Sequence, residues 1–556
     1  MSRSKLAIIN GFLKLDESAP HGTNHAAFAI CEAFTRCGAY SALDVFVDSV
    51  ASLNRPGGPR FVAPKDSPVV AMNKKRLPSL RDQYEAIYAL GTASLFSIPH
   101  ALRPVADWCP VISEIDCTHG AGQWSNLFIA AMTKALRETD GLIFKATATK
   151  QAFTDVWSDW RDRFNKDLLT PQSLVSLNGI SLEDNQHNPV LRTETRRELG
   201  LSADDVVFLG FSRLEPRLKG DPRALVVLWR EVVAACPKAF LILAGATFPL
   251  DRAFREELQT LTRQLGIAGR VAIIPNPFDL WENARNRLMS AADVFLHMTT
   301  GLEEACPLVV LEAMAHGLPP ITTNWSGLRE VVHDGETGWL IPTVCAAIPA
   351  TLLQTFMGRD DTRFSGDVSR TAAMDAQKFV EIATLAAQNS ELRSRLGAAA
   401  LRNVAASHNL DQRAMERIRF TKDLAREAEQ RWAQDSIQWT PPLADVEAVM
   451  RALSRDALEA DTRVGVRSAA NTAFLAFPDE HRKEATASIA KVVECLQNKG
   501  PMSFAQLARA MDLPGVDPRA DDDAIMDAEP VVMFEQLLMN LVAYGVLSLT
   551  TPTPGA

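Results

Sequence analysis

Short apolar runs alternate with helical patterns through the first three-fifths of the chain. Residues 6–9 read as a buried strand, and a polar loop, Ser18-Ala-Pro-His-Gly-Thr-Asn-His25, leads into a helical pattern over 26–36 that Gly38 ends. Thr23 or Asn24 is the expected cap, which leaves the helix N-terminus and Gly22 above the sheet edge. Residues 43–47, 86–89, 110–116 and 141–144 are further strands, and 125–137 are helical. This alternation predicts a parallel, doubly wound sheet. Residues 174–180 read as a strand running into a turn at Asn178-Gly179, since Asn-Gly favours positive φ. The polar stretch 183–188 and Pro189 then mark a boundary, giving a first domain of 1–182.

A second series of strands follows at 206–210, 240–244, 271–274, 294–297 and 320–322, with helical patterns between several of them. Ligands of open α/β sheets bind beyond the carboxyl ends of the strands, so two such domains are expected to face each other across a cleft. Residues 346–431 are mostly helical, including 375–388, 390–407 and 411–434, with a polar loop at 357–369; the second domain is 183–435. Trp439-Thr-Pro-Pro442 marks a linker to an accessory domain, 443–556, with helical patterns at 446–458 and 484–498. The stretches 503–511, 534–544 and 546–550 give that domain a winged-helix character.

A length of 556 residues is too great for one core and suits three to four domains. Hydrophobic content of 47% and charged content of 22% place the chain among soluble globular proteins. A formal charge of −9 gives no general attraction to nucleic acid or anionic lipid. In 501–556 two basic residues, Arg509 and Arg519, stand against eight acidic ones. A docking or oligomerisation module is therefore expected there, not a DNA reader. Eight cysteines are scattered singly, as reduced thiols of a cytoplasmic protein would be. The N-terminal apolar run stops at Asn10, which reads as a first strand and not a signal peptide. No segment has the apolar length of a membrane span, and peripheral contact at the inner face of a membrane stays open.

The chemistry concentrates in Gly301-Leu-Glu-Glu-Ala-Cys-Pro-Leu-Val-Val-Leu-Glu-Ala-Met-Ala-His-Gly317. Pro307 suits a first helical turn and Gly317 the position just past the end. Glu304 then sits in a loop at the mouth of the helix and Glu312 inside its early turns. Backbone N–H groups from Cys306 to Val309, with Leu308 between them and Pro307 removing one possible donor, form an anion-attracting helix end. Carboxylates are poor phosphate ligands and good acceptors for hydroxyls. A Glu on either side of such an end reads as a pocket for a sugar joined to a diphosphate; the plain alternative is an ordinary amphipathic helix. At the end of the strand 206–210 comes Phe211-Ser-Arg-Leu-Glu-Pro-Arg-Leu-Lys-Gly220. Arg213 and Lys219 bracket this loop and could neutralise a departing diphosphate, with Arg217 able to replace either; the alternative is a solvated basic loop. Metal is not expected: Asp521-Asp-Asp523 lies in a Pro/Asp/Ala-rich stretch and reads as a solvated loop.

Further on, Ile321-Thr-Thr-Asn-Trp-Ser-Gly-Leu-Arg-Glu330 precedes Asp334-Gly-Glu-Thr-Gly-Trp-Leu-Ile-Pro-Thr343. With Glu304 and Glu312 seven residues apart, Asn178-Gly-Ile, Ser212-Arg-Leu and Lys219-Gly220, these segments resemble the family-four retaining glycosyltransferases in motif and order. The resemblance is strong over about 170–345 and weak over 1–170. It implies a GT-B architecture, two Rossmann-like domains with the donor held mainly by the second and helices crossing back to the first. It implies that Glu304 holds donor-sugar hydroxyls, Glu312 the ribose, and Arg213, Lys219 and the Cys306–Val309 amides the diphosphate. From the first domain it implies roles for His119 near the transferred sugar and Gly22 beside phosphate and acceptor. The donor would be a UDP-, GDP- or ADP-sugar, the acceptor a carbohydrate or glycoconjugate, and no cofactor is implied.

Three departures stand out. Arg213 and Lys219 are one residue further apart than usual, Glu-Ala-Cys-Pro replaces Glu-Gly-Phe-Gly, and Gly22 stands alone where a Gly-Gly pair is common. Two rival readings therefore accompany the transferase: a phosphorylase-type enzyme, and a nucleotide-binding scaffold without transfer. The transferase reading expects both acidic side chains to line the crevice and not the protein interior.

Overall fold

The computed structural model describes residues 5–10, 22–47, 69–71, 84–90, 108–115, 137–164, 169–215, 220–246, 252–281, 283–301, 304–346, 369, 371–434, 463–466, 482–511 and 547–550. The chain divides into two compact units, Met1–Val446 and Glu447–Ala556.

The first unit begins with β1 (Lys5–Asn10), α1 (Gly22–Arg36), β2 (Ala42–Val47), β3 (Val69–Ala71), β4 (Ala86–Leu90), β5 (Val111–Ile115), β6 (Gly141–Phe144), α2 (Thr147–Phe164) and β7 (Gln172–Val175). Among the described residues these strands form one sheet in the order β3-β2-β1-β4-β5-β6-β7, parallel throughout. The expected strands are present, β3 is additional, residues 125–136 of the expected helix lie outside the described residues, and two further details differ. Helix α1 starts at Gly22, so Thr23 and Asn24 lie inside its first turn and do not precede it. Strand β7 ends at Val175; Ser176 N still donates to Phe144 O, and the chain beyond it meets its own return, Ile180 N donating to His408 O and Leu410 N to Ile180 O.

The second half of this unit runs α3 (Pro189–Glu198), β8 (Val206–Phe211), α4 (Pro222–Ala235), β9 (Ala239–Gly245), α5 (Arg252–Gln264), β10 (Val271–Pro275), α6 (Ala284–Ala291), β11 (Val294–His297), α7 (Leu308–Ala315), β12 (Pro320–Thr323), α8 (Leu328–Val331) and β13 (Trp339–Ile341). Its strands form a second parallel sheet, β10-β9-β8-β11-β12-β13 among the described residues. Asn188 and Asp221 cap α3 and α4 with their side chains, each followed by a proline at the first helical position, whose missing N–H costs nothing there.

Both faces of the second sheet are covered, which explains its nearly continuous apolar strands. Phe208, Leu241, Leu243 and Leu296 pack toward Trp229 and Leu258, while Val207, Leu209, Ile242 and Phe295 pack toward Leu288, Leu311 and Met314. The region expected to be mostly helical also holds a short antiparallel pair, β14 (Thr343–Cys345) with β15 (Ala372–Met374). Beyond it come α9 (Ala376–Gln388), α10 (Ser390–Ser407) and α11 (Leu410–Ala433). Phe379 and Ile382 of α9 and Val404 of α10 complete the second core. Helix α11 crosses back, placing Leu410, Ala414, Ile418 and Leu424 in the core of the first sheet with Ile8, Phe34, Tyr88 and Ile143.

The second unit contains β16 (Arg463–Val466), α12 (Arg482–Lys499), β17 (Met502–Ser503), α13 (Phe504–Ala510) and β18 (Leu547–Thr550) among its described residues. Its strands form an antiparallel sheet, β17-β16-β18, and Ser503 with Gln506 makes a capping box on α13. The helical patterns at 446–458 and 534–544 lie outside the described residues. Among the described residues no helix is long and apolar enough to cross a membrane.

Candidate active site

In the second sheet the strand order reverses between β8 and β11, and the crevice at such a switch point is where open α/β sheets take ligands. The loops leaving both strands carry the charged residues singled out in the sequence. After β8, Ser212 N still donates to Ala244 O and Leu214 N to Ala246 O, which places Arg213 at the sheet edge. Lys219 and Arg217 lie outside the described residues, but the loop's far end is placed: a Cβ on Gly220 would stand 2.1 Å from Met298 O, just beyond β11. Gly220 thus lies against the start of the loop that follows β11. His119 also lies outside the described residues, and Gly22 begins α1, the helix that follows β1.

The loop after β11 is fastened from several directions. Thr323 Oγ1 donates to Thr299 O at 2.5 Å, Trp325 Nε1 to Gly301 O at 3.0 Å, and Thr300 Oγ1 to Ser369 O at 2.9 Å. Gly301 N donates to Thr299 Oγ1 at 3.1 Å. Gly327 is required on the other flank: a Cβ there would lie 1.6 Å from Ala305 O and 2.8 Å from Ala146 Cβ of the first domain.

Helix α7 starts one position later than expected. Pro307 is its cap residue, at φ −69° and ψ 119°, and supplies no side-chain bond to the first turn. Leu308 and Val309 are therefore the first two helical residues, and Val310 N donates back to Pro307 O at 3.2 Å. Gly317 follows the helix at φ 76°, the left-handed conformation that a side chain disfavours. Cys306 is buried, and burial pushes its thiol up to about 11, so it is an inert thiol and not a nucleophile.

The two carboxylates are placed differently from the expectation of an open pocket. Glu304 is 2% exposed and its Oε2 lies 3.1 Å from His297 Nε2, at the end of β11. Glu312 is 9% exposed, one turn into α7, with its Oε1 2.5 Å from Arg285 on the first turn of α6. Burial raises the Glu312 carboxyl, and Arg285 opposes that rise. Both acidic groups face protein partners in the interior in this structure. The physical reason is that a carboxylate carried inside a packed edge must be paired. His316 is likewise buried; its Nδ1 lies 2.8 Å from Glu312 O, and burial pulls its imidazole down to about 4, so it is neutral at pH 7.

His297, Arg285, Trp325 and Asn178 are site residues that the sequence reading did not single out as such. Asn178 was visible as half of a turn dipeptide and as part of a motif, without a partner; its Nδ2 donates to Cys306 O at 2.7 Å and its backbone N–H to Cys306 Sγ at 3.3 Å. Glu330, noted only inside a motif, crosses the domain boundary: its carboxylate accepts from Thr147 N and Ala148 N at 2.8 and 2.9 Å, capping α2.

Two Rossmann-like parallel sheets and a final helix returning to the first define a GT-B fold. Its solved neighbours agree: Anabaena HepE in complex with UDP superimposes with a TM-score of 0.54 at 16% identity, covering 77% of this chain and 100% of that one. Sucrose-phosphate synthase from Thermosynechococcus elongatus gives 0.52 at 17%, covering 76% and 100%. Residues 192–354, within the second domain, match the family model described as glycosyl transferases group 1. Among curated relatives, the D-inositol 3-phosphate glycosyltransferase of Corynebacterium efficiens is 32% identical over 36% of this chain and 45% of its own length. The lipopolysaccharide core biosynthesis glycosyltransferase LpsE of Rhizobium meliloti is 30% identical over 26% and 38%. The chain spans about a quarter to a half of the length of the curated relatives it matches.

Proposed function

We propose that the protein is a retaining glycosyltransferase that moves a hexose from a UDP-, GDP- or ADP-sugar to a carbohydrate or glycoconjugate acceptor. The observation that carries this reading is the position of Arg213 just after β8 and of Gly220 against Met298 just beyond β11, the strand that leads to Glu304 and α7. The bond from the sugar's anomeric carbon to the diphosphate breaks, and the bond to the acceptor oxygen forms on the same face. Arg213, Lys219 and the amides of Leu308 and Val309 take up the charge of the departing diphosphate in place of a metal ion. HepE has been solved with UDP and with UDP-glucose, which supports a nucleotide sugar as the donor.

Glu304 is assigned to the donor-sugar hydroxyls and Glu312 to the ribose. Each would exchange a present partner, His297 or Arg285, for a ligand hydroxyl. His119 and Gly22 complete the site from the first domain, near the transferred sugar and beside the phosphate and acceptor. Closure of the crevice would exclude water that could hydrolyse the donor.

A second reading, a nucleotide-binding scaffold without transfer, is favoured by one observation: both carboxylates are buried against protein partners. Thermal-shift screening against a panel of nucleotide sugars, followed by donor hydrolysis and transfer with the best binder, separates the two. The transferase binds and turns over its donor; the scaffold binds UDP or GDP and does neither.

A further inference from the structure

The first sheet carries a buried charged cluster that the proposed chemistry does not use. Glu114 on β5 pairs with Lys145, just past β6, and with Arg417 of α11, while Tyr88 OH donates to its Oε1 at 2.5 Å. Arg417 also donates to Ser176 O and Leu177 O, at 2.9 and 3.1 Å. Lys145 Nζ reaches onward to Asn178 Oδ1 at 3.2 Å.

Asn178 uses both ends of its amide and both backbone groups. Its Oδ1 accepts from Lys145 of the first domain, and its Nδ2 donates to Cys306 O at the approach to α7. Its N–H faces Cys306 Sγ, and its carbonyl lies 3.1 Å from His408 Nδ1, beside the return helix. The Cys306 carbonyl belongs to the peptide plane leading into Pro307, whose ring fixes φ near −69°, so holding that carbonyl anchors the residue from which the amides of Leu308 and Val309 follow.

We propose that Asn178 is a positioning residue that transmits the placement of the first sheet, through Lys145, to the Cys306 carbonyl and so to the donor-side start of α7. The proposal rests on the reading of that helix end as the diphosphate site. An asparagine is required because the two contacts need opposite hydrogen-bonding roles on one planar group. Aspartate is nearly isosteric and still accepts from Lys145, but it sets an acceptor against the Cys306 carbonyl.

The test uses the full chain with Asn178→Asp, and Lys145→Met as a second variant. Hydrogen exchange measured without nucleotide is expected to quicken over 304–310 in Asn178→Asp and stay unchanged elsewhere. The Kd for the nucleoside diphosphate bound by the wild type is expected to rise roughly tenfold, with the melting midpoint within a few degrees. Lys145→Met is expected to quicken the same segment less. Unchanged exchange over 304–310 overturns the proposal, as does an exchange increase spread over the whole unit, the mark of a merely structural residue. Wild-type protein that binds no nucleoside diphosphate defeats the functional reading, and the exchange pattern then decides the role of Asn178 alone.

Discussion

The two parallel sheets of the first unit share one winding plan, with the order reversing between β1 and β4 in one and between β8 and β11 in the other. Their carboxyl edges are built by different means. The second edge is assembled from close backbone approaches, Gly220 against Met298 and Gly327 against Ala305, with threonine hydroxyls tying the loop between them. The first edge is held by buried side-chain charges, Glu114, Lys145 and Arg417, which run out to the chain crossing at Asn178. The close backbone approaches of the second edge contain no ionisable group and can present fixed amides to an anion, while the pairs Glu304–His297 and Glu312–Arg285 lie beside them. A charge-built edge depends on ionisation and serves as the attachment between domains. One fold thus supplies a cradle on one side and an anchor on the other.

The largest expected effect is at the anchor. Glu114→Gln removes the buried carboxylate that Lys145 and Arg417 share and should cost about 3–5 kcal/mol in urea unfolding. Burial alone would raise the Glu114 carboxyl, but the Lys145 and Arg417 charges outweigh it and hold it below its ordinary value of 4.5. A lowered folded-state pKa means stability that is present above the unfolded value and lost as pH falls through the folded one. The gap between wild type and Glu114→Gln should therefore be full above pH 4.5 and close as the pH is lowered toward about 2. A gap that widens on acidification would contradict the charge-built edge.

At the cradle, Gly327→Ala forces a methyl against the Ala305 carbonyl and should cost about 3 kcal/mol, with no pH dependence over the same range. Equal pH profiles for the two variants would erase the distinction. Between the domains, Glu330→Ala removes the cap on α2 and should cost about 1 kcal/mol, read as faster exchange at Thr147 and Ala148. At the surface, Asp411→Asn breaks the half-exposed pair with Arg36 and should change the melting midpoint little, about 0–1 kcal/mol.

The second sheet was readable because strands buried on both faces are continuous apolar runs; β11 matches its expected bounds. Strand β3 went unread because three residues of an edge strand carry too little pattern. The acidic motif, the helix after it and Gly317 were visible for the same reason of local spacing. Their partners were not. His297 pairs with Glu304 across 7 residues of chain, Arg285 with Glu312 across 27, and Asn178 with Cys306 across 128. Such pairings are set by which strands adjoin, and no local pattern records that. The inward turn of both carboxylates has the same origin: sequence shows a charge, while burial depends on what packs over it.

The central claim is that Glu304 grips the donor sugar at the second sheet's carboxyl edge. It is tested most directly by measuring nucleotide affinity and turnover together in Glu304→Gln. Affinity for the nucleoside diphosphate should stay within a few-fold of wild type while turnover falls by about 10²–10³-fold, the scale of losing one pre-organised contact to the reacting group. Turnover equal to that of the wild type, with affinity intact, would contradict it.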